Sequence, residues 1–351
     1  MDEEADSSQM KIAIGFRLRS GPWGGGNRFA HSLSKYLLSI GHEVVYALGD
    51  PDIDIILLTD PRSLSPGVAF GAGQVYRHMA FKNSNVLVVH RVNECDERKG
   101  TWGMNAMLRI ANKCADHTVF VGNWLTTIPA WRRHRRKSHS VILNGADEAV
   151  FNSNGKSNWD GKSPLRIVTH HWSNHWNKGF EVYKRLDDIL DDPSWRKLIA
   201  FTYIGNLPAG FKFRNTQVLD PMDGFLLAAE IKRNHAYITG SINEPGGNHQ
   251  VEAGSCGLPI LYRESGCLPE YCEGFGFGFE GAAFEGALNK LFVQYQEVSS
   301  RMASWNNKSS VMCEAYHALF KNLLENKEDL IFKRRHWARP WFALLNQIPL
   351  R

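Results

Sequence analysis

The chain has 351 residues, 43% of them hydrophobic and 22% charged. At roughly 150 residues per domain this is enough for two domains with a substantial core, and the composition excludes a disordered or fibrous chain. The net charge of +5 favours acidic partners such as phosphates or a membrane surface. Apolar runs such as residues 55–58 and 86–89 fall far short of the roughly 18 residues that cross a bilayer. The first ten residues are acidic and polar, the reverse of a secretory leader, and the six cysteines form no CxxC pair. A cytoplasmic chain with reduced thiols is the expectation.

Residues 11–16 predict a short buried strand, followed by the glycine-rich loop Gly21-Pro-Trp-Gly-Gly-Gly-Asn27. Phe29, Leu33, Tyr36, Leu37 and Ile40 then recur at helical spacing, and Gly41 ends that helix. Strands are expected at 44–47, 53–58, 86–90, 118–121 and 141–143, with a helix over 101–115. A polar stretch rich in Asn, Ser and Gly at 152–163 marks a linker. The pattern then restarts with a strand at 166–170 and a helix over 179–190 that carries Phe180, Tyr183, Leu186 and Leu190 on one face. Strands at 200–204 and 236–239 flank a helix over 225–233; a helix at 248–255, a strand at 259–262 and a mostly helical stretch from 282 to about 326 complete the series. Alternating strands and helices predict an α/β fold of two mostly parallel sheets in series. Ligands of such sheets sit beyond the carboxyl ends of the strands, which places the site in a cleft between the two.

Gly24, Gly25 and Gly26 lie between a strand and a helix, where bare backbone and free N–H groups suit an anion. The dinucleotide fingerprint G-x-G-x-x-G fails, because Phe29 stands where the third glycine belongs. The P-loop also fails, because Asn27 and Arg28 replace its Lys and Ser/Thr. Neither a nicotinamide enzyme nor a P-loop NTPase is supported. A second candidate runs from Ser241 to Ile260, with Glu244 and Glu252 eight positions apart around Gly247. An ionised carboxylate accepts two hydrogen bonds, so Glu252 suits a vicinal diol such as a ribose and Glu244 a hexose hydroxyl.

This segment resembles the E-x7-E signature of the retaining glycosyltransferases of family 4. Four further fragments are similar to that family in the right order: Gly24-Gly-Gly-Asn-Arg-Phe with Gly41-His-Glu-Val, Ala115-Asp-His-Thr-Val-Phe-Val-Gly, Val141-Ile-Leu-Asn-Gly-Ala-Asp147 with Phe151, and Lys178-Gly179. The resemblance implies the GT-B architecture, two Rossmann-like domains facing a central cleft. Residues 1–155 would form the acceptor side, rejoined by the tail 333–351, and residues 160–332 the donor side. It implies a nucleoside-diphosphate sugar as donor, with no metal and no other cofactor. Glu252 would bind the ribose and Glu244 the transferred sugar. Gly25, Gly26, Asn27, Gly247, Asn248 and Lys178 would hold the diphosphate. The leaving phosphate oxygen would deprotonate the acceptor on the same face.

The family's arginine ahead of Lys178 is missing, so His170, His171 or a backbone N–H would substitute. His90 reads equally as a group that orients the acceptor and as a buried, satisfied histidine; Arg91, Glu94 and Asp96 read equally as a surface ion-pair cluster. The basic stretches 131–137 and 333–339 suit a solvated face or peripheral membrane contact, and no nucleic-acid partner is expected. A saccharide or lipid-linked acceptor remains open. So do two rival functions: a nucleotide-sugar 2-epimerase of the same architecture and a non-catalytic nucleotide-sugar-binding module.

Overall fold

The computed structural model describes residues 9–19, 21, 24–132, 138–334 and 340–349. The first sheet contains β1 (Lys11–Ile14), β2 (Glu43–Val45), β3 (Ile55–Leu58), β4 (Leu87–Val92), β5 (His117–Phe120) and β6 (His139–Val141), in the order β2-β1-β3-β4-β5-β6. The second contains β7 (Leu165–His171), β8 (Ile199–Gly205), β9 (Gln217–Leu219), β10 (Ala236–Thr239), β11 (Ile260–Arg263) and β12 (Gly276–Phe279), in the order β12-β11-β10-β7-β8-β9. Every strand pair within the two sheets is parallel. β3 and β4 are buried at every residue, as strands covered on both faces must be, which is why they read as unbroken apolar runs.

The expected α/β architecture is therefore present, with local differences. β9 and β12 are short edge strands of sequence QVL and GFGF, too brief and too glycine-rich to announce themselves. The helix expected over 101–115 is present as Met104–Ala111, continued by a 3-10 turn at Asn112–Cys114, and a further short helix, Asp96–Lys99, precedes it. Gly100 and Gly103, at φ 60° and 100°, turn the chain between them through the left-handed region.

The expected boundary at 332 is corrected. After a 3-10 turn at Met302–Ser304 the chain crosses back, and the helix Ser309–Glu325 packs on the first half. Its Met312, Tyr316 and Phe320 share a core with Ile12 and Ile14 of β1 and with Phe29, Leu33 and Leu37 of the helix Gly24–Ser39. Each large side chain buried there contributes roughly 1.5–3 kcal/mol. The sequence marks this segment as helical, but that cannot say which sheet receives it. At the crossing, Ala146 N donates to Asn307 O at 3.1 Å and Ser309 N to Ala146 O at 2.8 Å.

The tail also returns to the first half. Gln347 Nε2 donates to Gly73 O at 3.0 Å, and Arg334 forms a two-pronged pair with Asp116, both contacts at 2.8 Å. Asp116 also accepts from Val88 N, so the Ala115-Asp116 fragment has a structural task. Arg334 thus lies in a buried pair. Residues 133–137 and 335–339, most of the two basic stretches, lie outside the described residues, as do residues 1–8. Among the described residues no helix is long and apolar enough to cross a membrane.

A β-carbon at Gly145 would fall against the Lys308 carbonyl, well inside contact distance. Gly145→Ala is expected to cost about 1–3 kcal/mol, the range for forced overpacking. Chemical denaturation checks this, and an unchanged midpoint would show that the crossing relaxes freely.

Candidate functional site

Each sheet reverses its direction of growth once. In the first this happens between β1 and β3, in the second between β7 and β10. The loops that leave β1, β7 and β10 therefore splay apart and open a crevice. They carry the glycine loop, the stretch ending at Lys178, and the segment with Glu244 and Glu252. A cavity of about 280 Å3 lies where the loops of the two halves face each other.

Glu244 is held by its loop. Asn243 takes φ 48°, a left-handed conformation for a non-glycine residue, and a β-carbon at Gly266 would press on the Glu244 backbone. The carboxylate is buried, and burial pushes its pKa up. The Lys178 ammonium at 2.5 Å and the Arg98 guanidinium at 3.8 Å overrule that and hold it down at about 2. Burial pulls Lys178 below its ordinary value against the attraction of Glu244. Lys178 ends the 3-10 turn Trp176–Lys178, and Gly179, at φ 98°, starts the helix Phe180–Ile189.

Glu252 lies one turn into the short helix His249–Ser255 and is also buried. One carboxylate oxygen takes Arg28, which reaches across from the first half and also binds Asp223. The other lies 2.9 Å from His170 Nε2. Burial and the Arg28 charge depress His170 to about 3, so the ring is neutral. A neutral ring that donates through Nε2 accepts at Nδ1, where the Tyr237 hydroxyl stands at 3.2 Å. Burial likewise holds His171 and His249 well below the usual histidine range.

Gly25, Gly26, Lys178, Glu244, Gly247, Asn248 and Glu252 all line the cavity. Two predicted residues do not. Asn27 is buried and clasps Arg19, accepting from its N–H at 2.9 Å and donating to its carbonyl at 2.8 Å. His90 is wholly buried in β4 beside Asn112, its Nδ1 3.0 Å from the amide nitrogen. The buried alternative holds for His90, and it does not reach the cavity.

The sequence reading missed the arginines. Arg28, Arg91 and Arg98 line the cavity with Lys178, all three supplied by the first half. Arg28 had been read only as a failed P-loop residue. Nor do Arg91, Glu94 and Asp96 form a surface cluster: Arg91 is buried, Glu94 binds Arg98 at 3.0 Å, and Asp96 accepts from Met104 N at 2.9 Å, capping a helix. What could have pointed to them is their place just past predicted strand ends and at a predicted helix start. Among the described residues no group of three or more His, Cys, Asp or Glu is placed to hold a metal ion.

No protein-family model matches the chain, and no curated protein sequence does. Solved structures do match. The catalytic domain of starch synthase IV from Arabidopsis thaliana, bound to ADP and acarbose, superposes with a TM-score of 0.66 at 13% identity, over 91% of this chain and 100% of that one. Sucrose-phosphate synthase from Thermosynechococcus elongatus gives 0.63 at 12% identity, over 90% and 100%. HepE of Anabaena in complex with UDP and glucose gives 0.62 at 16% identity, again over 90% and 100%. At these identities the likeness establishes the fold: the chain has the GT-B architecture of two Rossmann-like domains.

The buried histidines and Glu244 give the protein a defined acid response. Below its ordinary value of 6.5, His170 takes a proton in the unfolded chain but not in the folded one, so stability falls as pH drops through 6.5 toward about 3. Glu244 contributes stability that is full above its ordinary 4.5 and is lost as pH falls toward about 2. The melting temperature is therefore expected to decline from pH 7 downward, and His170→Gln to make the decline between pH 6.5 and 5 shallower, the other buried histidines keeping the rest. A thermal-shift series in which the wild type is level across that interval would contradict this.

Proposed function

We propose that the chain is a retaining glycosyltransferase that moves a sugar from a nucleoside-diphosphate sugar to an acceptor hydroxyl. The observation that carries the reading is the convergence of Glu244 and Glu252 with four cations on one cavity at the switch points of two facing sheets. That combination suits a ligand with two sugars joined by a diphosphate. The fold is also that of the solved sucrose-phosphate synthase, starch synthase and HepE, the last two in complexes with ADP and with UDP.

In this reading the ribose hydroxyls take the Glu252 carboxylate in place of Arg28. Lys178 keeps Glu244 ionised, and Glu244 accepts from hydroxyls of the transferred sugar. The diphosphate lies between Gly25 and Gly26 on one side and Gly247 and Asn248 on the other. As the bond from the anomeric carbon to the phosphate oxygen breaks, charge grows on the leaving diphosphate. Fixed cations in a partly dewatered cleft stabilise that charge without a metal. The acceptor oxygen bonds the anomeric carbon on the same face, and its proton passes to the leaving phosphate oxygen. The acceptor, a saccharide or lipid-linked hydroxyl, approaches from the first half.

Saturable binding of one among UDP, GDP and ADP, followed by acceptor-dependent release of that nucleotide from its sugar conjugate, is the direct test. Conversion of the donor alone to an epimerised sugar nucleotide would replace transfer with isomerisation. Glu252→Ala is expected to weaken nucleoside-diphosphate binding by about 1–3 kcal/mol, the worth of charge-assisted hydrogen bonds. Calorimetry returning the wild-type affinity for that variant would remove the ribose assignment.

A further inference from the structure

One cation of the cleft has no carboxylate partner among the described residues. Arg91 stands at the carboxyl end of β4, lines the cavity and is only 2% exposed. Its guanidinium lies 3.9 Å from the centre of the Phe29 ring, and Nη2 donates to Asn144 Oδ1 at 2.8 Å. Asn144 Nδ2 donates in turn to Gly246 O at 2.7 Å, which fixes Arg91 at the seam between the two halves.

The other cations of the cavity all have carboxylates: Arg28 has Glu252 and Asp223, Lys178 has Glu244, and Arg98 has Glu94 and Glu244. Arg91 has none among the described residues. The groups set against it are neutral phenols, Tyr316 as a hydrogen-bond partner and Tyr271 beside it, and its Nε has no hydrogen-bond partner among the described residues. Buried charges are ordinarily paired, because leaving one unmatched away from water is costly. An apolar side chain of similar length would fill a merely structural position more stably. Stacking and the bond to Asn144 instead hold the guanidinium still with donors to spare, which is how a preorganised anion site is built. Its planar fork matches two phosphate oxygens. The stretch before Lys178 supplies no arginine for this task.

We infer that Arg91 binds the donor diphosphate at the sugar-side phosphate, so that the first half supplies the arginine missing before Lys178. The inference rests on the donor reading above and goes past it in naming the group that meets the leaving-group charge. It also makes the diphosphate a bridge between residues of the two halves.

The test uses the full chain with Arg91→Met and Arg91→Lys. Calorimetry measures UDP, GDP and ADP and their parent nucleosides, and thermal unfolding is followed without ligand. Arg91→Met is expected to bind the preferred nucleoside diphosphate at least tenfold more weakly while holding the nucleoside as the wild type does. Arg91→Lys is expected to keep part of the affinity. The ligand-free Met variant is expected to melt above the wild type, because its unmatched charge is gone. Unchanged diphosphate affinity in Arg91→Met overturns the assignment, as does joint loss of diphosphate and nucleoside, the mark of a structural residue. A wild type that binds none of the three diphosphates removes the donor reading and this inference with it. A wild type that binds one, matched by Arg91→Met, removes only the role of Arg91.

Discussion

A charge taken out of water has to be matched, and the cleft is organised by that constraint. Glu244 stays ionised in a buried position because Lys178 and Arg98 stand against it. Glu252 is divided between a guanidinium from the other half and a neutral histidine. These are local balances, struck between elements that lie far apart in sequence. They decide which side chains face the cavity and in which protonation state. The glycines nearby let backbone approach the same space without adding charge of their own.

Neutral clips complement the charged ones. Asn144 reaches Gly246, Asn177 reaches the Arg98 carbonyl, and Asn243 donates to the Glu97 carbonyl at 2.9 Å. Three amide side chains thus join the halves through backbone carbonyls, whose acceptance does not depend on pH. The segment 96–99 is gripped from the second half at two points, which explains why a helix of four residues persists there. Its Arg98 is thereby aimed into the cavity.

Much of this was legible in the chain. Continuous apolar runs marked the central strands, and the two glutamates with their glycines marked the loop beyond β10. Glycine spacing also located the first-half loop. The rest was not legible, for physical reasons. Asn27 looked like a ligand residue because it adjoins the glycines, yet its amide satisfies the loop's own backbone. His90 was placed at a strand end, yet β4 runs on to Val92 and buries it, and a single sequence does not fix which way a strand residue points when both faces are covered. Arg28 was missed because its ion pairs reach segments 195 and 224 residues away and leave no periodic trace. The destination of the helix Ser309–Glu325 was hidden likewise, since an apolar stripe fits either sheet.

That helix has a mechanical consequence. The polypeptide passes from one half to the other beyond Gly145 and returns before Ser309, and the two passages are stitched together by backbone hydrogen bonds at Ala146. The two halves are thus tied twice at one place, once by each passage of the chain. That place adjoins Asn144, a residue of the cavity wall that also bonds Gly246 across the seam, so the double crossing and the crevice share one wall.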